Sequence, residues 1–310
     1  MTTLATSPPA VDGTAPAGVA GATPVLASGR TVTLPDLPYR RLAGFALVGV
    51  AGLIAAFLAY LFLFTPLTAS RSQAKLVASL KGHPLNVYQL VGGHAPAEGS
   101  AVAVLQIPAL GLDKVVVQGT SAADLMGGPG LMPGTALPGT VGNAVVAARR
   151  VTFGGPFGSI GSLRAGQAIR VVDGVGTFTY KVVGSRTVGI GQRDVVVPTA
   201  DNRLTLITSD SSLVAGGREV VVAKLVGRAI AVPGESAAVP GYDLALGGDA
   251  AAGGLVLLWS ILTVVLLVAA AYLAWRTRRG WLVYFFTAPV VVLCGLFACQ
   301  SLARALPATY

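Results

Sequence analysis

Residues 204–209 read Leu-Thr-Leu-Ile-Thr-Ser, and this run decides how the chain is interpreted. It is rich in large apolar and β-branched side chains and is followed by polar residues, a pattern typical of a buried β-strand. Ser209 ends the run, where its hydroxyl either closes a strand or serves as a nucleophile. Asp210 is adjacent, but a carboxylate without an intervening histidine does not make a catalytic triad.

Further alternating apolar runs lie on both sides of this strand and are separated by Gly and Pro turns. They predict an all-β domain, and on their own they leave a sandwich and a barrel open. The predicted strands are Val102–Ile107, Lys114–Val117, Ala144–Ala148, Ala168–Val172, Thr177–Val183, Leu204–Thr208 and Glu219–Leu225.

Several motifs in this region resemble those of the sortase family, in family order. The strand that ends at Ser209 is similar to the family's Thr-Leu-x-Thr-Cys strand. The other matching stretches are 101–119 (AVAVLQIPALGLDKVVVQG), 128–143 (GPGLMPGTALPGTVGN), 144–158 (AVVAARRVTFGGPFG), 176–184 (GTFTYKVVG) and 218–225 (REVVVAKL).

The resemblance covers residues 100–228 and is nearest to the class E type. It implies a closed eight-stranded β-barrel, and so it selects the barrel over the sandwich. It also implies descent from transpeptidases of Gram-positive cell surfaces, which use a cysteine, a histidine and an arginine.

The resemblance places the three catalytic positions on Ser209 for the cysteine, Arg149 for the histidine and Arg218 for the arginine. Only the arginine is retained, and a further family histidine falls on Leu131. The chain therefore resembles a degenerate member that lacks the catalytic Cys and His.

The chemistry of these replacements predicts loss of catalysis. A thiol with a pKa of about 8.5 reaches the thiolate with modest help, whereas a serine hydroxyl needs an adjacent base. The guanidinium of Arg149 stays protonated and cannot supply that base. The only two histidines, His83 and His94, precede the predicted barrel.

Three arginines, Arg149, Arg150 and Arg218, are expected to converge on one groove if the barrel forms. Guanidinium groups recognise carboxylate and phosphate, so the sequence predicts an anion-binding groove, with a solvated remnant of an ancestral site as the alternative. The sequence contains no phosphate loop and no metal-ligand cluster, and it predicts neither a cofactor nor a metal. Cys294 and Cys299 are interpreted as apolar packing residues of a membrane helix.

The composition, with 53% hydrophobic and 11% charged residues, is too apolar for one soluble domain. The mean hydropathy is +0.71. Three apolar runs account for it, and about 22 residues at ~1.5 Å each cross the ~30 Å hydrocarbon core. The sequence thus predicts three transmembrane helices, one before the barrel and two after it, over residues 42–64, 254–275 and 281–302.

Basic residues set the predicted orientation. Arg40 and Arg41 precede the first span, and Arg276, Arg278 and Arg279 fill the loop between the last two, so both places are expected to be cytoplasmic. The sequence then predicts a multi-pass protein of the cell membrane with its barrel on the extracytoplasmic face. The predicted segments are a disordered tail (1–41), span 1 (42–64), a stalk (65–99) with a helix over 67–82, the barrel (100–228), a linker (229–253), span 2 (254–275), a loop (276–280), span 3 (281–302) and a short outer tail (303–310).

Residues 100–228 hold 12 Lys or Arg and 7 Asp or Glu, a net charge of +5. Outside a membrane this charge suits the lipid bilayer, an anionic wall polymer or a carboxylate peptide, and nucleic acid is excluded as a partner. Three functions stay open: an inactive pseudo-sortase that binds or scaffolds a surface protein or wall polymer, an active transpeptidase or hydrolase with Ser209 as its nucleophile, and a structural subunit of a membrane complex. The first is favoured.

Overall fold

The computed structural model describes residues 52, 54–55, 57–82, 96–210, 216–230, 252–276 and 280–305. The predicted tail over 1–41, residues 83–95 of the predicted stalk, most of the predicted linker over 229–253 and the two histidines lie outside these residues.

Eight strands form a closed barrel in the order β1-β2-β3-β4-β7-β8-β6-β5. This confirms the eight-stranded barrel expected from the resemblance, and each of the seven predicted runs coincides with a strand. The strands are β1 Ala101–Ile107, β2 Leu112–Gln118, β3 Gly130–Leu131, β4 Asn143–Ala147, β5 Ala168–Val172, β6 Thr177–Gly189, β7 Arg203–Ser209 and β8 Gly217–Val226.

The strand that was not predicted, β3, is only two residues long, which is too short for an alternating pattern. It nevertheless closes the barrel by pairing parallel to β2 and antiparallel to β4. Gly130 permits this approach, because a Cβ atom there would lie 2.1 Å from the Gly119 carbonyl oxygen. Strand β6 extends beyond the predicted Val183 to Gly189 and pairs with β8 along this extension.

The barrel interior is mainly apolar. Leu105, Leu204 and Leu206 are fully buried within it. Tyr180 is also buried, and its hydroxyl oxygen accepts a hydrogen bond of 2.6 Å from the Gly139 N–H. Burial raises the pKa of Tyr180 to about 12, and the hydrogen bond from Gly139 opposes this rise.

A pH dependence of unfolding follows from this tyrosine. Because the folded pKa of this acid is above its ordinary value of 10.0, its stabilisation is fully present below pH 10 and is lost as the pH rises towards 12. A shift of this size corresponds to a free energy of unfolding of about 3 kcal/mol. Denaturant unfolding of the detergent-solubilised chain between pH 9 and 12 is expected to show this loss.

The matched variant is Tyr180→Phe, which should lose about 1–3 kcal/mol at pH 8 because the Gly139 N–H is left without its acceptor. Other groups titrate equally in both proteins, so the difference between the two curves isolates Tyr180. Parallel curves over this pH range would contradict the assignment.

The α-helices bounded within the described residues are α1 Thr65–Gly82, α2 Asp124–Gly127, α3 Ala252–Arg276 and α4 Gly280–Ala305. A π-helix, Tyr60–Phe64, leads directly into α1, so the helix predicted over 67–82 is present and continues the chain's first apolar run. Helices α3 and α4 are long and apolar enough to cross a membrane, over Ala252–Leu273 and Phe285–Ala305. About half of the first predicted span, 42–64, lies outside the described residues, and this span stays a prediction.

Helix α1 is fixed to the barrel by Gln73. Its side-chain amide donates to the Val115 carbonyl (3.1 Å) and the Gly127 carbonyl (2.8 Å), and its oxygen accepts from the Val115 N–H (2.8 Å). Gly128 permits this contact, because a Cβ atom there would lie 2.2 Å from the Gln73 amide nitrogen. The helix is therefore seated against the barrel, and is more than a solvated stalk.

Candidate active site

Strands β7 and β8 place Ser209 opposite Arg218. The two residues are register partners at the end of the antiparallel β7–β8 pair, so their side chains lie on the same face. Ser209 is 1% exposed and Arg218 is 9% exposed. The sequence-predicted nucleophile position and the retained arginine are thus brought together in a mostly enclosed site.

The chain after β4 reaches the same place, because β4 and β7 are parallel neighbours. The Ala148 N–H donates to the Ile207 carbonyl (3.1 Å), and the Thr208 hydroxyl donates to the Ala148 carbonyl (2.9 Å). Two residues after Ala148, the Arg150 guanidinium donates to the Ser209 carbonyl at 2.9 Å. Ser209 therefore lies beside both Arg150 and Arg218.

Arg149, which the resemblance places at the histidine position, has its own set of contacts. Its side chain is completely buried, with one guanidinium nitrogen donating to the Ala122 carbonyl (2.9 Å) and the other to the Thr152 hydroxyl (3.2 Å). The guanidinium lies 4.8 Å from the centre of the Phe153 ring, a cation–π contact. Of the three arginines predicted to converge, Arg150 and Arg218 lie beside Ser209. The Arg149 guanidinium instead contacts Ala122, Thr152 and Phe153.

Burial lowers the pKa of Arg149 to about 10, while its interaction with Tyr60 opposes the shift. With this pKa, the protonated form of Arg149 exceeds the neutral form by about a thousandfold at pH 7. Arg149 is therefore a cation without proton-accepting capacity at neutral pH, and it cannot activate the Ser209 hydroxyl.

Two carboxylates follow the site residues. Asp210 comes directly after Ser209, and its N–H donates to the Gly217 carbonyl (3.2 Å). Glu219 follows Arg218 and pairs with Thr208, so it lies on the opposite face of the sheet from Arg218. Among the described residues no group of three or more His, Cys, Asp or Glu side chains is placed to hold a metal ion.

Sequence reasoning missed Phe153, which links this site to the helices. Phe153 is buried with φ at 54°, the sole non-glycine residue at positive φ in the described part of the chain. Its N–H donates to the Thr65 hydroxyl (3.0 Å), and its ring packs in a buried cluster with Tyr60, Ala69 and Ala303. Such strain persists only where the surroundings fix the residue, and no local sequence pattern signals it.

The two cysteines lie far along the chain in α4 and are not bonded to each other. Cys294 is buried and Cys299 is partly buried. Both belong to a helix with the length and composition of a membrane span. Neither is a member of the barrel that holds Ser209.

A closed barrel whose seventh strand ends at a candidate nucleophile position, opposite an arginine on the eighth, defines a sortase domain. The family model for the Sortase domain matches residues 105–226. Sortase D of Bacillus subtilis (strain 168) is 27% identical over 114 residues, which are 37% of this chain and 56% of the relative. Residues 105–226 therefore form a domain of the sortase family, and the chain spans about half the length of this curated relative.

Solved sortase structures are similar to the same region. A Clostridium perfringens Sortase D5 transpeptidase is 21% identical, with a TM-score of 0.45, over 52% of this chain and 99% of that one. Sortase E from Streptomyces avermitilis is 31% identical, with a TM-score of 0.39, over 43% of this chain and 91% of that one. Clostridium perfringens sortase C with the C-terminal cell wall sorting motif is 21% identical, with a TM-score of 0.40, over 51% and 91%.

Proposed function

We propose that this sortase-family chain is a catalytically inactive, class E-like pseudo-sortase that is anchored in the cell membrane and binds or scaffolds a partner at the cell surface. The observation that carries the proposal is the pairing of Ser209 with Arg218 at a site where Arg149, at the histidine position, is a buried cation. Neither Ser209 nor Arg149 offers the thiolate or the imidazole of an active sortase, but the arginines of this site recognise anions.

The proposed ligand is a peptide that presents a carboxylate, or an anionic wall polymer. Arg150 and Arg218 are the proposed binding residues, since both adjoin Ser209. Arg149 contributes positive potential from behind Phe153, and its direct contact with a ligand would require release from Ala122 and Thr152. This arrangement favours binding over cleavage, because electrostatic recognition needs no proton transfer.

A binding experiment tests this proposal. A fluorescent peptide that carries a C-terminal cell wall sorting motif and ends in a free carboxylate is expected to bind the detergent-solubilised full chain. Binding should weaken about fivefold to tenfold, or about 1–1.4 kcal/mol, for Arg218→Gln and for the amidated peptide, because each removes one partner of a charge-assisted contact.

Arg164→Gln is the matched control, since Arg164 is an exposed arginine on the same barrel. It is expected to leave binding unchanged. An equal loss of peptide affinity in Arg164→Gln and Arg218→Gln would mean that binding depends only on net charge. That result would overturn the proposed binding site. Absence of binding in the unmodified chain would overturn the binding role itself.

A structural role in a membrane complex is the second candidate, and one observation favours it. The barrel is attached to the chain's own helices through Gln73, Thr65 and Phe153, which gives it a fixed position beside α1 and α4. A partner that stays bound to a chain without the barrel, after purification in mild detergent, would support this candidate over the binding module.

A further inference from the structure

A cavity of about 490 Å³ lies where the barrel meets the helices, away from Ser209. Its walls come from the helical run that includes Tyr60 and Phe64, from the α2 region at Met126, from Phe153 and from α4. Cavities of this size are in the range of ligand sites in proteins. None of Ser209, Arg150 and Arg218 lines it, so it is distinct from the candidate active site.

The cavity has an apolar part and a cationic part. Leu293, Leu296 and Phe297 of α4 supply the apolar surface, and Gln300 and Arg304 of the same helix supply the polar surface. From Leu293 to Arg304 the helix advances about 16 Å at ~1.5 Å per residue, close to half of the ~30 Å hydrocarbon thickness. This wall therefore changes from apolar to charged over the length of one lipid leaflet.

Two arginines, Arg304 in the cavity wall and Arg149 beside Phe153, each have a nitrogen without a hydrogen-bond partner within the described chain. In both residues this nitrogen is the buried Nε atom. Tyr60 lies within electrostatic range of both guanidinium groups, so the two charges belong to one region. Burying a cation without an anion is costly, and a bound anion would offset that cost.

We infer that this cavity binds an anionic glycerophospholipid, with its phosphate against Arg304 and Gln300 and an acyl chain along Leu293, Leu296 and Phe297. The positive charge of Arg304 favours an anionic head group. The apolar wall favours a ligand with an acyl chain, which a free phosphate lacks. The wall belongs to an apolar span, so the cavity is supplied from the bilayer. The inference rests on the membrane anchoring proposed above.

Native mass spectrometry of the detergent-solubilised full chain tests the inference with phosphatidylglycerol, phosphatidylcholine and inorganic phosphate as probes. Phosphatidylglycerol is expected to bind at one site, at least about tenfold tighter than phosphatidylcholine, because only the former has net negative charge. Arg304→Gln should abolish this preference, and Arg304→Lys should retain part of it. Arg276→Gln, at an exposed arginine in the last turn of α3, should leave it unchanged.

Equal binding of the two lipids by the unmodified chain would overturn the inference, whatever the variants do. Displacement of phosphatidylglycerol by millimolar inorganic phosphate would overturn the lipid assignment in favour of a phosphate site. Release of the protein from membranes by alkaline carbonate would instead overturn the proposed anchoring. A chain that stays in the membrane but does not distinguish the lipids overturns the lipid site alone.

Discussion

No cleavage of a sorting-motif peptide by the unmodified full chain is expected above background, and Ser209→Ala is expected to leave that background unchanged. Ser209 lies opposite Arg218 and accepts, through its carbonyl, a hydrogen bond from Arg150. General acid–base assistance is typically worth ~10²–10⁴-fold in rate, and a protonated Arg149 offers no proton acceptor at neutral pH. Peptide cleavage can be followed by mass spectrometry of the products over several hours.

The double variant Ser209→Cys with Arg149→His is expected to regain thiol reactivity. An unperturbed thiol with a pKa of about 8.5 is only about 3% thiolate at pH 7, so an imidazole that lowers this pKa can raise alkylation by up to about 30-fold. Iodoacetamide labelling of residue 209 as a function of pH measures this, with Ser209→Cys with Arg149→Ala as the matched control. The control removes the guanidinium without supplying a base, so equal labelling in the two would show that the imidazole does nothing.

Cleavage by the unmodified chain that disappears in Ser209→Ala would contradict the pseudo-sortase proposal. It would establish Ser209 as a nucleophile and require a base from another part of the chain. His83 and His94, which lie outside the described residues, would then be the histidines to replace.

The barrel strands were predictable because each longer strand has a local sequence pattern. Alternation in Ala168–Val172 indicates one buried face, and the continuous apolar and β-branched run Leu204–Thr208 indicates a strand buried on both faces. Gly and Pro mark the turns between strands. Strand β3 was not predicted because a two-residue strand is too short to show an alternating pattern. Its position depends on the close contact of Gly130 with Gly119. The full length of β6 was not predicted because its last part, up to Gly189, is mostly exposed and polar in composition. This part is a strand through its pairing with β8.

The site was predictable at the level of the backbone and not of the side chains. Motif order places Ser209 and Arg218 on neighbouring strands, as the structure does. The direction of the Arg149 guanidinium depends on the Ala122 carbonyl, 27 residues away, and on the packing of Phe153. Such contacts are set by the tertiary fold, so a motif that identifies the histidine position cannot say where an arginine in that position will reach.

The largest difference in labelling is expected between the barrel and the loop that joins α3 to α4. In a background with Cys294→Ala and Cys299→Ala, a Ser185→Cys reporter on the exposed surface of β6 should react with an impermeant maleimide on intact cells. A Thr277→Cys reporter should react only after the membrane is permeabilised. Three arginines, at positions 276, 278 and 279, flank Thr277, and short basic loops are retained in the cytoplasm.

The packing of α4 gives this prediction a second and independent reason. Ala303, near the end of α4, belongs to the same buried cluster as Phe153 of the barrel. The C-terminal end of α4 therefore lies next to the barrel. If Phe285–Ala305 crosses the bilayer, the beginning of α4 at Gly280, and with it the loop at Thr277, must lie on the opposite side. Labelling of both reporters on intact cells would mean that α3 and α4 do not cross, whereas labelling of Thr277→Cys alone would invert the proposed orientation and place the barrel in the cytoplasm.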